Sequence, residues 1–303
     1  MVNVTAPGVP SRFPTADLNL AVETWNAHGA PSLLFAHGFG QTRGAWNGTA
    51  AALARSGCRC VTFDARGHGE SDRLLSASAA GGYHMDQFAD DLHRLAGAQP
   101  QPPILVGASM GGLLGIVLAG EQRPAPFRAL VLVDITPRWE TAGVERILAF
   151  MQAHPDGFES YAEAAEQIAT YLPQRRERKS VDQLRPLLRQ GPDGRLHWHW
   201  DPALLAGDLV RESARYQPRL LAAAARIEVP VLLLSGGRSD VVSRGTVEEF
   251  MRLVPHARHV ELPQATHMVA GDANEAFTRE VGHYVQDLDS TTMPRAVGAV
   301  PLQ

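Results

Sequence analysis

The sequence predicts an α/β fold: a parallel sheet with helices on both faces, broken by one helical insertion. Three observations lead there. Short runs at residues 22–25, 32–36, 60–63, 104–106, 129–133, 231–234 and 259–262 are β-branched or leucine-rich. Several are apolar throughout, as strands buried on both faces must be. Amphipathic stretches at 46–55, 85–95, 112–121 and 247–253 alternate with them, and strand–helix alternation builds a parallel sheet. Residues 137–227 lack a buried-strand pattern but carry helical ones at 144–154, 160–172 and 202–225, punctuated by Pro155, Pro173, Pro186, Pro192 and Pro202. The expected domains are a core of residues 1–136 and 228–289 and a helical cap of 137–227. The polar, proline-containing tail at 290–303 is expected to be disordered.

The 303 residues are 45% hydrophobic and 20% charged, with a formal net charge of -4. Such a chain buries a large core, and it has no basic stripe to neutralise nucleic-acid phosphates. No apolar run is long enough to span a bilayer. The opening MVNVTAPGVPSRF has neither the basic nor the apolar region of a signal peptide. A cytoplasmic protein without membrane or nucleic-acid partners is therefore expected, its oligomeric state left open. Cys58 and Cys60, two apart in a strand-like segment, are expected to be reduced thiols.

Gly107-Ala108-Ser109-Met110-Gly111-Gly112 follows the apolar run 104–106 and opens the helical stretch 112–121. Strand, sharp turn and helix are the context of a nucleophile elbow. Small residues two before and two after the serine let strand and helix pass closely. The helix N-terminus aims N–H groups at developing negative charge. Ser109 is the expected nucleophile.

His37-Gly38-Phe39-Gly40 directly follows the strand at 32–36. The expected oxyanion donors are the backbone N–H groups of Phe39 and of Met110, the residue after the nucleophile. The His37 ring is expected mainly to brace this loop. Of twelve histidines, His267 lies just beyond the last strand, at the edge where parallel sheets place reactive groups, and is the expected base. His68, inside Arg66-Gly67-His68-Gly69, reads as structural. Asp134 and Asp240 both end strands. Asp240 is assigned as the acid, because it precedes His267 by one strand and sits in the glycine-rich loop 236–240.

Together His37-Gly38-Phe39-Gly40, Asp64-Ala65-Arg66-Gly67-His68-Gly69-Glu70-Ser71, the Ser109 elbow, Ser239-Asp240 and Thr266-His267 resemble the α/β-hydrolase superfamily in motif and order. The resemblance spans about residues 20–288. It implies a mostly parallel eight-stranded sheet, a helical lid over the site and catalysis without a cofactor. Dehalogenases and epoxide hydrolases of the superfamily carry aspartate where Ser109 stands. Ser-Met-Gly-Gly is similar to elbows of esterases, enol-lactonases, perhydrolases and carbon–carbon bond hydrolases. Phe39-Gly40-Gln41 departs from the Gly-Pro-Gly loop of many of the last group.

The expected reaction is cleavage of a carboxylic ester or lactone of a small, largely apolar substrate through an acyl-enzyme. Perhydrolase or carbon–carbon hydrolase chemistry on the same triad is an alternative, and a hydrolase-fold ligand receptor is a rival from another class. His37, Trp139, Phe150, Tyr161, Trp198 and Met268 are the expected pocket residues. His197 and His199 alternate in a strand-like segment, but no third ligand has suitable spacing, so no metal is expected.

Overall fold

A computed structural model describes residues 7–74, 82–171, 178–206 and 213–292. Its main sheet has eight strands: β1 (Val9–Pro14), β2 (Asn19–Trp25), β3 (Ser32–Ala36), β4 (Arg59–Phe63), β5 (Ile104–Ala108), β6 (Ala129–Val133), β9 (Val231–Gly236) and β10 (Arg258–Leu262). The spatial order is β1-β2-β4-β3-β5-β6-β9-β10. β2 pairs antiparallel with both β1 and β4, and every other pairing is parallel.

Side chains of the central strands alternate between two buried layers. Leu34, Leu105, Leu130, Leu132 and Leu233 join one hydrophobic cluster. Leu33, Phe35, Val106, Val131 and Leu234 join the other. The second layer is closed by α1 (Asn47–Arg55) and the C-terminal helix, which touch one another. On the first layer lie α2 (Met85–Gly97) and α3 (Met110–Glu121). α3 is buried along nearly its whole length, so it has no polar face. Such a helix belongs to the interior rather than the surface.

The insertion runs from the end of β6 to the start of β9. It carries α4 (Thr141–Gln152) and α5 (Tyr161–Tyr171), then two helical turns and α6 (Ser213–Ala224), which packs on α3. It is not wholly helical. β7 (Leu188–Gln190) and β8 (Leu196–Trp198) form an antiparallel hairpin, extended by a bridge from Leu196 to Phe158. After it come α7 (Arg244–Leu253), beyond β9, and α8 (Asn274–Thr292). The expected tail thus begins inside α8, and residues 293–303 lie outside the described residues. Among the described residues no helix is long and apolar enough to cross a membrane. Cys58 and Cys60 are free and buried in the layer under α1.

Candidate active site

Ser109 is the first residue past β5 and the cap of α3, with φ 47° and ψ -116°. L side chains avoid that backbone state, and holding a residue there costs on the order of 1–3 kcal/mol. Glycines make the turn possible: a Cβ at Gly107 would lie 2.6 Å from the carbonyl oxygen of Gly111. The turn is tied to the next strand, because Ser109 N–H donates to Val133 O at 3.2 Å.

Asp134 stands in the same position one strand over, directly after β6, with φ 47° and full burial. Its carboxylate accepts three hydrogen bonds. Gly236 N–H reaches Oδ1 at 2.8 Å, the Ser239 hydroxyl reaches Oδ2 at 2.5 Å, and His267 Nδ1 reaches Oδ2 at 2.7 Å. Ser239 Oγ itself accepts the N–H groups of Val241 and Val242 at 3.1 Å each, which aims its proton at Asp134. A carboxylate only accepts, so Nδ1 of His267 carries the proton and Nε2 is left as the basic nitrogen.

Asp240, assigned to His267 from the sequence, is elsewhere. Its carboxylate lies 2.5 Å from Arg146 of α4 and makes an ion pair between cap and body. The glycines before it serve a different purpose. A Cβ at Gly236 would sit 2.5 Å from the carbonyl oxygens of Ala265 and Thr266, and one at Gly237 would sit 2.8 Å from Pro263. They admit the loop that carries His267, instead of swinging Asp240 toward it.

The loop after β3 lies over the elbow: a Cβ at Gly38 would be 3.2 Å from Cβ of Ser109. Among the described residues, the N–H groups of Phe39 and Met110 make no hydrogen bond. The His37 ring donates from Nδ1 to Gly38 O at 2.8 Å and accepts Ala65 N–H on Nε2 at 2.9 Å. His68 accepts Gly40 N–H on Nε2 at 3.1 Å. Burial pushes the pKa values of both rings down, well down for His68. Arg66 pairs with buried Asp91 through Nε and Nη2 at 2.8 Å each, and Asp64 pairs with Arg43.

Ser109, Phe39 and His267 open onto one cavity of about 980 Å³ between body and cap. Of the expected pocket residues, Phe150, Trp198 and Met268 line it. His37, Trp139 and Tyr161 do not. His37 is 1% exposed behind its loop, Trp139 is packed in the core, and Tyr161 lies under the Arg185 guanidinium. The roof is a run of aromatic rings, with Phe150 stacked on Tyr171 at 4.1 Å and Trp198 stacked on Trp200 at 4.6 Å. The paired histidines diverge: His197 turns to Asp193, whereas His199 turns inward.

A model of the alpha/beta hydrolase fold family matches residues 31–273. The chain belongs to that family. Among its relatives, a 3-hydroxybutyrate-oligomer hydrolase of Cupriavidus necator is 32% identical over 82% of this chain and 86% of its own length. An sn-1-specific diacylglycerol lipase, ABHD11 of Mus musculus, is 30% identical over 84% of this chain and 81% of its own. The crystal structure of an E-2-(acetamidomethylene)succinate hydrolase superposes with a TM-score of 0.78 at 24% identity, covering 92% of this chain and 99% of that one. Like those relatives, this alpha/beta hydrolase is an enzyme of hydrolytic type. Asp134, which the sequence offers beside Asp240 and which is set aside there, is the carboxylate that contacts His267. Its signal was its position directly after a wholly apolar strand adjoining that of Ser109.

Proposed function

We propose that the protein hydrolyses a carboxylic ester or lactone of a small, largely apolar substrate through an acyl-enzyme. The observation that carries this reading is the 2.7 Å contact of His267 with a buried carboxylate, in a cavity that Ser109 also lines. Ser109 Oγ attacks the carbonyl carbon and passes its proton to Nε2 of His267. Asp134, in place of Asp240, keeps the imidazole in the right tautomer and stabilises its cation. The N–H groups of Phe39 and Met110 receive the oxyanion. His267 returns the proton to the departing alkoxide as the tetrahedral adduct collapses. Water, deprotonated by the same nitrogen, then releases the acid and restores Ser109. Two relatives whose names specify hydroxy-acid oligomers and diacylglycerols favour an ester, and the aromatic roof favours apolar groups beside it.

The test is a panel of p-nitrophenyl esters, lactones and peracid formation, run with fluorophosphonate labelling and peptide mapping. Repeated turnover of an ester or lactone and modification at Ser109 alone are expected. A single turnover would indicate a ligand receptor, and labelling at another serine would overturn the assignment.

A further inference from the structure

We infer that His199 of the cap is a positioning residue for the oxyanion donor at Phe39, an inference that rests on the proposed ester hydrolysis. His199 follows β8 and is 1% exposed. Its Nδ1 accepts Gly69 N–H at 2.9 Å, so the proton is on Nε2, which donates to Gly40 O at 3.1 Å. Gly40 is thereby held from both sides. Its N–H goes to His68 of the body and its carbonyl to His199 of the cap.

The peptide before Phe39 is held as well. Gly38 O accepts from His37 Nδ1 at 2.8 Å and from Gln41 N–H at 3.0 Å. A trans peptide points its N–H away from its C=O, so fixing Gly38 O fixes the direction of the Phe39 N–H. Gly40 has φ 75°, and a Cβ there would lie 2.9 Å from Met151. The turn therefore depends on its polar clamps and on the cap surface above it.

The cap has other attachments, such as Asp201 N–H to Gly67 O at 2.7 Å and Tyr83 OH to Asp201 at 2.8 Å. Among the described residues, His199 Nε2 alone links a polar group of the cap to residues 38–41 by a hydrogen bond. His37, His68 and His199 lie ring beside ring, 5.2 and 6.2 Å apart, with all six nitrogens bonded to backbone. His199 is the member of this row that carries cap position to the donor.

The experiment compares His199→Ala, His199→Gln and His199→Asn on the best p-nitrophenyl ester, with thermal midpoints measured in parallel. Gln offers a donor at the Nε2 position and so rescues the bond to Gly40. Asn offers only the acceptor for Gly69. Removing an oxyanion donor outright costs about 10²–10³ in kcat. Loosening one should cost about 10- to 100-fold in His199→Ala and His199→Asn, with KM within about threefold, and His199→Gln should recover most of it. Amide exchange at Gly40 and Gln41 should quicken in His199→Ala while the elbow at 108–113 is unchanged. Rescue by Asn instead of Gln, loss confined to KM, or equal losses in all three variants tracking their thermal midpoints would overturn the inference. If the wild-type enzyme turns over no ester, the proposed function fails. Unchanged exchange at Gly40 would still overturn this inference separately.

Discussion

Asp134 meets His267 at 2.7 Å from a backbone φ of 47°, the same value found at Ser109. Both residues stand directly beyond parallel strands that are neighbours in the sheet. Their amides continue the ladder sideways, Ser109 N–H to Val133 O at 3.2 Å and Asp134 N–H to Leu234 O at 2.7 Å. The strained turns are thus built into the sheet edge and tied to it by backbone hydrogen bonds.

Two aspartate variants separate the roles. Asp134→Asn should lower kcat by about 10³–10⁴-fold on any turned-over ester, since an amide no longer holds the imidazole proton on Nδ1. Asp240→Asn should remain within about fivefold of wild type, because among the described residues its carboxylate pairs with Arg146 in a half-exposed ion pair of small worth. Steady-state kinetics on one ester decides, and a dead Asp240→Asn with an active Asp134→Asn would reverse the assignment.

Ser109→Gly and Ser109→Ala should both abolish turnover but differ in stability. Glycine adopts positive φ without the Cβ clash, so the glycine variant sheds strain of about 1–3 kcal/mol, partly offset by its greater unfolded-state freedom. Differential scanning calorimetry should place Ser109→Gly above Ser109→Ala by a few degrees. Equal midpoints would mean that the elbow stores no strain.

Acid should destabilise the protein through its row of buried histidines. Burial lowers the pKa values of His37 and His68, and lowers that of His199 to about 3. Asp64 opposes the shift at His37, whereas Arg73 and Arg189 reinforce it at His199. An unfolded histidine titrates near 6.5, so above that pH neither state binds the proton and stability is flat. Below it the unfolded chain takes up protons that the folded chain refuses. Stability should fall by up to about 1.4 kcal/mol per pH unit per site. Urea midpoints at pH 7, 6 and 5 should decline, and less steeply in His199→Asn. A flat profile would contradict the neutral, buried tautomers.

Cys58 and Cys60 should be inert in the native protein. Burial pushes both thiols up in pKa, and they are 5% and 0% exposed. Ellman's reagent should report no fast-reacting thiol in buffer and two in denaturant. A fast native thiol would show that the layer under α1 opens readily.

Legibility in the sequence followed how local each determinant is. Ser109 and the oxyanion loop are defined by neighbours within three residues, and His267 by following the last strand. The acid depends on which of two loops turns toward His267, a choice made by packing between Gly236 and the backbone at Ala265 and Thr266. β1 has no buried-strand signature in the sequence because it is an edge strand, largely exposed, with prolines at both ends of its core. The β7–β8 hairpin has three residues per strand, too few for a period to register. Cap aromatics were visible as a group. Which of them face the cavity is set by how the insertion packs on the body, with Trp139 in the core and Tyr161 under the Arg185 guanidinium.

The placement of Asp134 also orders the birth of the enzyme. All three groups bonded to its carboxylate, at Gly236, Ser239 and His267, come after the cap in the chain, the last of them 133 residues later. At about 5–20 residues per second on the ribosome, the carboxylate waits on the order of ten seconds for its partners. A buried charge without partners is costly, so that strand end stays wet until the His267 loop arrives. Competence is therefore acquired only after the segment carrying His267 has been made.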